Sequence, residues 1–201
     1  MRVHSNKPGI RVLGVAESFR SGDRFSVLGG VVMRADLVVD GVGYGRATVG
    51  GDDATEAVLR LYRGLGREDV NALMVSGCVL SHYNVLDVDG LARESGRPVI
   101  CLTYRESSGI EGAIRARFDR PQGKIERYRR LGPRTRMVLG TGLAVYARLA
   151  SISEEDAGRV VESFTRQGGF PEPVRVARLL AHAGRASLLQ RPARMSATSS
   201  R

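Results

Sequence analysis

Apolar residues follow two different periods along this chain. Arg11 to Phe19 reads as a first strand, with Val12, Leu13 and Val15 as its apolar positions. Phe25 to Met33 and Leu37 to Val42 read as two more, rich in β-favouring residues. Ala35-Asp36 suits a tight turn between them, and connections this short join antiparallel strands. The period then becomes helical: Ala57, Val58, Leu61 and Leu65 share one face of a helix predicted over Asp53 to Leu65. Ala72 to Val79 is a short apolar run, predicted as a buried strand. Val85, Val88, Leu91 and Ala92 mark a second helix stopped by Gly96, and Pro98 to Thr103 is the next buried strand. Such strand–helix–strand units are right-handed and parallel.

Three antiparallel strands followed by helix, strand, helix, strand is the order of a ribonuclease H-like core. The predicted class is therefore α/β with a mixed sheet and C-terminal helices. In the second half, Gly109 to Phe118 and Lys124 to Leu131 are expected to be helical. Arg136 to Leu139 and Leu143 to Ala150 are expected to pair around Gly140-Thr141-Gly142. Ser153 is a good N-cap, and Glu154, Glu155 and Asp156 suit the first turn of a helix running to about Gln167. Pro171 and Pro173 open a last helix whose apolar face carries Val174, Ala177, Leu180 and Ala181. We expect a polar arm over 1–10, one domain over 11–184, and a basic, disordered tail over 185–201.

The chain has 201 residues and a formal charge of +10. That length supports one domain with a sizeable core. It contains no apolar run long enough for a membrane span and no signal-peptide pattern at its N-terminus, so the cytoplasm is the default expectation. The charge is concentrated. Between Arg115 and Arg136 stand nine basic residues against Asp119 and Glu126, a net +7. Only Lys7 and Lys124 are lysines. A GC-rich genome accounts for arginine over lysine but not for the clustering. Guanidinium groups grip phosphate in a forked manner and stack on bases, so the cluster points to a polyanion, nucleic acid first. Arg127 and Arg130 are its candidate phosphate contacts. Cys78 and Cys101 lie in apolar runs without metal spacing and read as buried, inert thiols.

The most informative stretch is Thr48-Val49-Gly50-Gly51-Asp52-Asp53-Ala54-Thr55 at the mouth of the first helix. Asp53 or Thr55 can cap that helix, which leaves one aspartate over. A capped, solvated helix start accounts for the motif without a metal. A hard cation such as Mg2+ accounts for the second carboxylate. Ser81-His82-Tyr83-Asn84 follows the fourth strand, where α/β sheets bind ligands. His82 there is a base, a metal ligand or a hydrogen-bonding loop residue, and Asn84 is a candidate N-cap for the helix that follows. Arg105 follows the next strand and suits a phosphate contact or an ion pair with Glu106 or Glu111. Asp40 is expected at the end of the third strand. The glycines of Gly41 to Gly45 and Gly50-Gly51 offer a phosphate cradle, although no P-loop or dinucleotide fingerprint is present.

Several segments together resemble an uncharacterised, largely archaeal family related to endonuclease V. They are Leu13 to Phe19, Val39 to Gly45, Thr48 to Thr55, Val75 to Asn84, Pro98 to Ser107 and Pro171 to Ala177. The resemblance spans about Arg11 to Ala183. It implies a ribonuclease H-like fold, Mg2+ and cleavage of nucleic acid near deaminated bases such as inosine. It places the family's first-strand aspartate on Ala16, with Glu17 next to it. A further metal-binding glutamate falls near Asp52 or Asp53, and the aspartate ending the fourth strand falls on Ser76. Glu17 replaces the first ligand only if the strand bulges, because neighbouring strand residues face opposite ways. The strand-separating loop of endonuclease V has its counterpart near Gly43-Tyr44-Gly45, without prolines. Two expectations follow. One is a Mg2+-dependent nuclease using Glu17, Asp52 and Asp53, with Tyr44, Ser76, His82, Arg105, Arg127 and Arg130 against the substrate. The other is a nucleic-acid-binding protein that keeps the fold without the chemistry.

Overall fold

The computed structural model describes residues 9–107 and 109–189. Most of the predicted arm, and the tail beyond 189, lie outside the described residues. The first three strands are β1 (Arg11–Ser18), β2 (Phe25–Arg34) and β3 (Val39–Thr48). Helix α1 (Ala54–Gly64) follows, then β4 (Ala72–Ser76), the short pair β5 (Val79–Leu80) and β6 (Asn84–Val85), α2 (Val88–Ser95) and β7 (Val99–Thr103). The second half comprises α3 (Glu111–Arg117), α4 (Gln122–Arg130), β8 (Thr135–Val138), β9 (Ala144–Ala150), α5 (Glu154–Ser163) and α6 (Glu172–Leu189). The seven-stranded sheet has the order β3-β2-β1-β4-β7-β9-β8. β1, β4 and β7 are parallel, and the flanking pairs are antiparallel. This is the predicted mixed sheet.

Alternating strand residues feed two cores. Leu13, Val15, Leu28, Leu73, Val75 and Cys101 face α1 and α2. Val12, Ala16, Val31, Met74 and Leu102 pack with α5 and α6. Glycine sets the approach of α6. A Cβ on Gly14 would lie 2.3 Å from the Pro173 carbonyl carbon, and one on Gly29 would lie 2.4 Å from the Ala177 oxygen. No side chain fits at either position, so the helix backbone rests directly on β1 and β2.

Three predicted boundaries are corrected. β3 runs on to Thr48 instead of ending at Val42. Gly41, Gly43 and Gly45 alternate along it and face α1, where Cβ atoms on Gly43 and Gly45 would meet Leu61 and Leu65 within 3.0–3.4 Å. These glycines are therefore strand residues that make room for leucines, not a loop or a phosphate cradle. Tyr44 sits in mid-strand on the opposite side, against Gly184 of α6, and not in a wedge loop. α6 continues to Leu189, into the predicted tail, and Arg185 binds the Asp23 carboxylate at 2.7 Å. α5 ends at Ser163, short of Gln167.

Caps follow local chemistry. Ser153 accepts from the Asp156 N–H as expected, and Gly96 ends α2 in the left-handed region. Asp87, not Asn84, caps α2 by accepting from Gly90.

Candidate functional site

The carboxyl ends of β1, β4 and β7 form one edge of the sheet, the edge at which α/β proteins bind ligands. The predicted acidic residues reach that edge but do not converge. β1 pairs with β2 without a register break from Arg11 to Ser18. With no bulge, Ala16 faces α6 and is buried, while Glu17 turns to the other face. Its carboxylate accepts from the Ser81 N–H at 2.8 Å and from the Ser26 hydroxyl at 2.9 Å. Glu17 thus anchors the 81–83 turn. Ser81, His82 and Tyr83 all have positive φ, at 46°, 55° and 69°. Three consecutive side chains in that region cost about 1–3 kcal/mol each, so the turn needs the anchors it has. The exposed His82 ring stands edge-on to Phe19, with centroids 4.8 Å apart.

Asp52 and Asp53 are committed differently. Asp53 accepts from the Thr48 N–H at 3.0 Å, the Thr48 hydroxyl at 2.8 Å and the Asn84 amide at 2.7 Å. Its side chain makes no capping bond to α1. Asn84, fully buried, caps that helix from outside by accepting from the Ala54 N–H at 2.9 Å. Partial burial pushes the Asp53 carboxyl up, and the Asn84 and Thr48 donors outweigh it, leaving it below the usual range. Asp52 is half exposed and binds Lys124 at 2.8 Å and Arg127. Burial raises its carboxyl, but those two cations outweigh burial and hold it below the usual range. Lys124 is buried, donates to the Gly51 carbonyl and lies 4.8 Å from the Phe118 ring centroid.

Among the described residues, no three His, Cys, Asp or Glu side chains are placed to hold one metal ion. Each of Glu17, Asp52 and Asp53 already has protein donors or cations as partners. Asp40 lies near the start of β3, bound by Arg11 and Arg67, at the opposite edge of the sheet. Cys78 and Cys101 are free and buried.

What the edge presents is positive charge. Ser76, at the end of β4, accepts from the Arg178 guanidinium of α6 at 3.2 Å. A cleft of about 520 Å3 opens beside it, lined by Arg105, Arg134, Arg148 and Arg178 and by no aspartate or glutamate. A smaller cavity of about 340 Å3 shares Ser76 and Arg178 and adds Glu17, Ser18 and His182, whose Nδ1 is 3.2 Å from the Ser18 hydroxyl. Arg127 and Arg130 line a third cavity with Asp52, Asp87 and Asp89, and Arg148 reaches this one too. Within the basic stretch, Glu111 binds Arg115 and Arg129, and Glu126 stands 4.0 Å from Arg130. Arg117, Arg120, Arg134 and Arg136 have no ion pair among the described residues, and all but Arg134 are exposed.

Arg178 and Arg148 were not among the expected site residues, and Asn84 caps α1 where the following helix was expected. Arg178 carried a signal: it stands four residues after Val174, in phase with the apolar stripe of its helix, where a cation needs a reason. Arg148 and Asn84 carried none, since their roles depend on which strands become neighbours.

This architecture is that of the endonuclease V-like, ribonuclease H-type α/β proteins. The chain superimposes on Ciona intestinalis endonuclease V, solved with an inosine-containing DNA, with TM-score 0.63 at 13% identity over 90% of this chain and 87% of that one. Human ENDOV gives a TM-score of 0.58 at 15% identity, covering 94% and 91%. An Archaeoglobus fulgidus protein of unknown function gives 0.76 at 25% identity, covering 87% and 97%. Within that class the chain belongs to the endonuclease dU family, whose model matches residues 8–184. A UPF0215 protein of Pyrobaculum calidifontis is 42% identical over 180 residues, covering 89% of this chain and 99% of the relative. One from Thermoplasma volcanium is 34% identical over 179 residues, covering 88% and 90%. No described helix is long and apolar enough to cross a membrane.

Proposed function

We propose that this protein binds nucleic acid on the endonuclease V-like scaffold without metal-dependent cleavage. The observation that carries the reading is the exchange of charge at the ends of β1 and β4. Two carboxylates expected there are Ala16, buried against α6, and Ser76, whose hydroxyl takes the Arg178 guanidinium. Two-metal cleavage needs several carboxylates around ions about 3.5–4 Å apart. A guanidinium binds phosphate but activates no water, so affinity survives where cutting does not. The exposed arginines of α3, α4 and their flanks extend the positive surface beyond the cleft. Kinship to nucleases that act on nucleic acid supports the partner class.

The test is binding and cleavage scored together on labelled single- and double-stranded DNA and RNA, plain or carrying inosine or dU, in Mg2+, Mn2+ and EDTA. We expect binding in all three and cutting in none. Each phosphate contact contributes about 0.7–0.9 to the slope of log affinity on log salt, so the four unpaired arginines of the basic stretch alone predict a slope of about −3 to −3.5. Metal-dependent cutting that is lost in Asp52→Asn would restore the nuclease reading. Absent or salt-insensitive binding would remove nucleic acid as the partner.

A further inference from the structure

We propose that the cleft at the carboxyl ends of β4 and β7 is a binding site for a phosphate monoester, carried by a free nucleotide or by the phosphorylated end of a strand. This goes beyond nucleic-acid binding in general and stands without it.

Arg134, Arg148 and Arg178 line one cleft and make no ion pair among the described residues. Each is held by neutral partners instead. Arg134 donates to the Ser107 carbonyl at 2.9 Å and the Arg105 carbonyl at 3.1 Å, and its guanidinium lies 5.2 Å from the Tyr146 ring centroid. Arg148 donates to the Gly132 carbonyl at 3.1 Å and lies 5.4 Å from the Tyr128 ring. Arg178 donates to Ser76 and lies 5.3 Å from the Phe170 ring, which itself stacks on Tyr104 at 3.8 Å. A ring behind each guanidinium and a carbonyl or hydroxyl on one edge fix its orientation without engaging its charge in an ion pair. Much of the entropy cost of gripping an anion is therefore met before it arrives.

A second observation points the same way. The Tyr104 hydroxyl is buried and has no hydrogen-bond partner among the described residues, and Tyr104 lines the same cleft. Burial raises the phenol well above its usual range, so it stays a donor. A buried unpaired hydroxyl is costly, and a ligand oxygen that reached it would relieve that cost.

Charge decides between monoester and diester. A monoester carries about −1.5 to −2 at pH 7, a backbone diester −1. Three guanidiniums in one cleft, none of them ion-paired, suit a dianion better than a monoanion. The cleft, at about 520 Å3, lies in the range of small-ligand pockets.

The experiment is calorimetric titration of the full chain at fixed salt. The probes are a nucleoside 5′-monophosphate, the parent nucleoside, inorganic phosphate, and one oligonucleotide with either a 5′-phosphate or a 5′-hydroxyl. We expect the phosphorylated form of at least one pair to bind ~10-fold or more tightly than its partner, and Arg134→Gln, Arg148→Gln or Arg178→Gln to weaken it by ~10-fold or more. Arg60→Gln, on exposed α1, leaves it unchanged. Preference for the nucleotide identifies a free ligand, and preference for the phosphorylated oligonucleotide identifies a strand end. Should a Gln variant melt early, Arg178→Lys keeps the charge without the fork and is expected to bind at an intermediate level. Equal binding within both pairs overturns the proposal, as do Gln variants that melt like the parent and bind like it. Strand binding that ignores the end group overturns it too, while leaving the nucleic-acid reading intact.

Discussion

Asp53→Asn distinguishes a structural carboxylate from a metal ligand, because the two roles predict opposite signs. In the structure Asp53 ties the end of β3 to the β5–β6 turn through Thr48 and Asn84, at 2.7–3.0 Å. Asparagine keeps the shape, so no cavity opens. It removes the charge from three hydrogen bonds and turns one acceptor into a donor facing Thr48 or Asn84. A bond to a charged group contributes about 1.5–3 kcal/mol and a neutral one about 0.5–1.5, a difference near 1 kcal/mol per bond. The expected loss is about 2–3 kcal/mol. For a chain of this length that lowers Tm by about 5–10 °C, the same in EDTA and in millimolar Mg2+.

A metal site behaves otherwise. Without the ion its carboxylates repel one another, so Asn in place of Asp raises Tm in EDTA, and Mg2+ then stabilises the parent by mass action but not the variant. Thermal melts of parent and variant in the two buffers read both effects. A variant that melts at or above the parent in EDTA, with a Mg2+-dependent rise confined to the parent, refutes the strap. Asn84→Ala completes a cycle. If the two side chains act on each other, their double mutant should cost less than the sum by about 0.5–3 kcal/mol.

Two further outcomes follow from packing and charge. Gly29→Ala forces a methyl group to within 2.4 Å of the Ala177 carbonyl, so α6 must lift from β2. Overpacking of this kind costs about 1–3 kcal/mol by urea unfolding, and parent-like stability would mean the helix yields freely. Acid should unfold the protein gradually. Hydrogen bonds from Arg67 hold the Asp69 carboxyl at about 2, and Asp52 and Asp53 are also lowered. Each binds its proton less readily folded than unfolded, where carboxyls titrate near 3.9. Their contribution is therefore complete above about pH 5 and is lost as pH falls through 4 towards 2. Denaturant midpoints that stay level down to about pH 3 would show that these carboxylates contribute nothing.

The sheet was legible in the sequence because each strand buries a run too apolar to lie anywhere else. Leu73 to Val75 and Val99 to Leu102 are almost inaccessible to solvent, and the helical crossover between them makes them parallel neighbours. β3 was misread for the complementary reason. Its inward face is glycine, so the alternation that announces a strand carries no hydrophobic signal on that face. The acidic motif was legible as a helix start but not in its detail. Lys124 stands 72 residues from Asp52 and reaches it only once α4 has folded back over the β6 turn. Local spacing cannot distinguish a carboxylate awaiting a cation from one already given a lysine and an arginine.

The same folding-back separates two things that a metal site joins. A divalent ion held by carboxylates attracts phosphate and also lowers the pKa of bound water, so recognition and attack come from one group. Arginine keeps its proton at any working pH and offers only charge and directed donors. On the proposed reading, Ala16 and Ser76 remove the carboxylates, and Arg178, Arg134 and Arg148 restore the positive potential from α6, β9 and the segment before β8. An anion is then the natural counter-charge, and nothing at the edge drives its hydrolysis. Restoring aspartate at position 76 alone should therefore not revive cutting. The new carboxylate would pair with Arg178, already bound to that side chain, and would weaken phosphate binding by cancelling the charge that holds it.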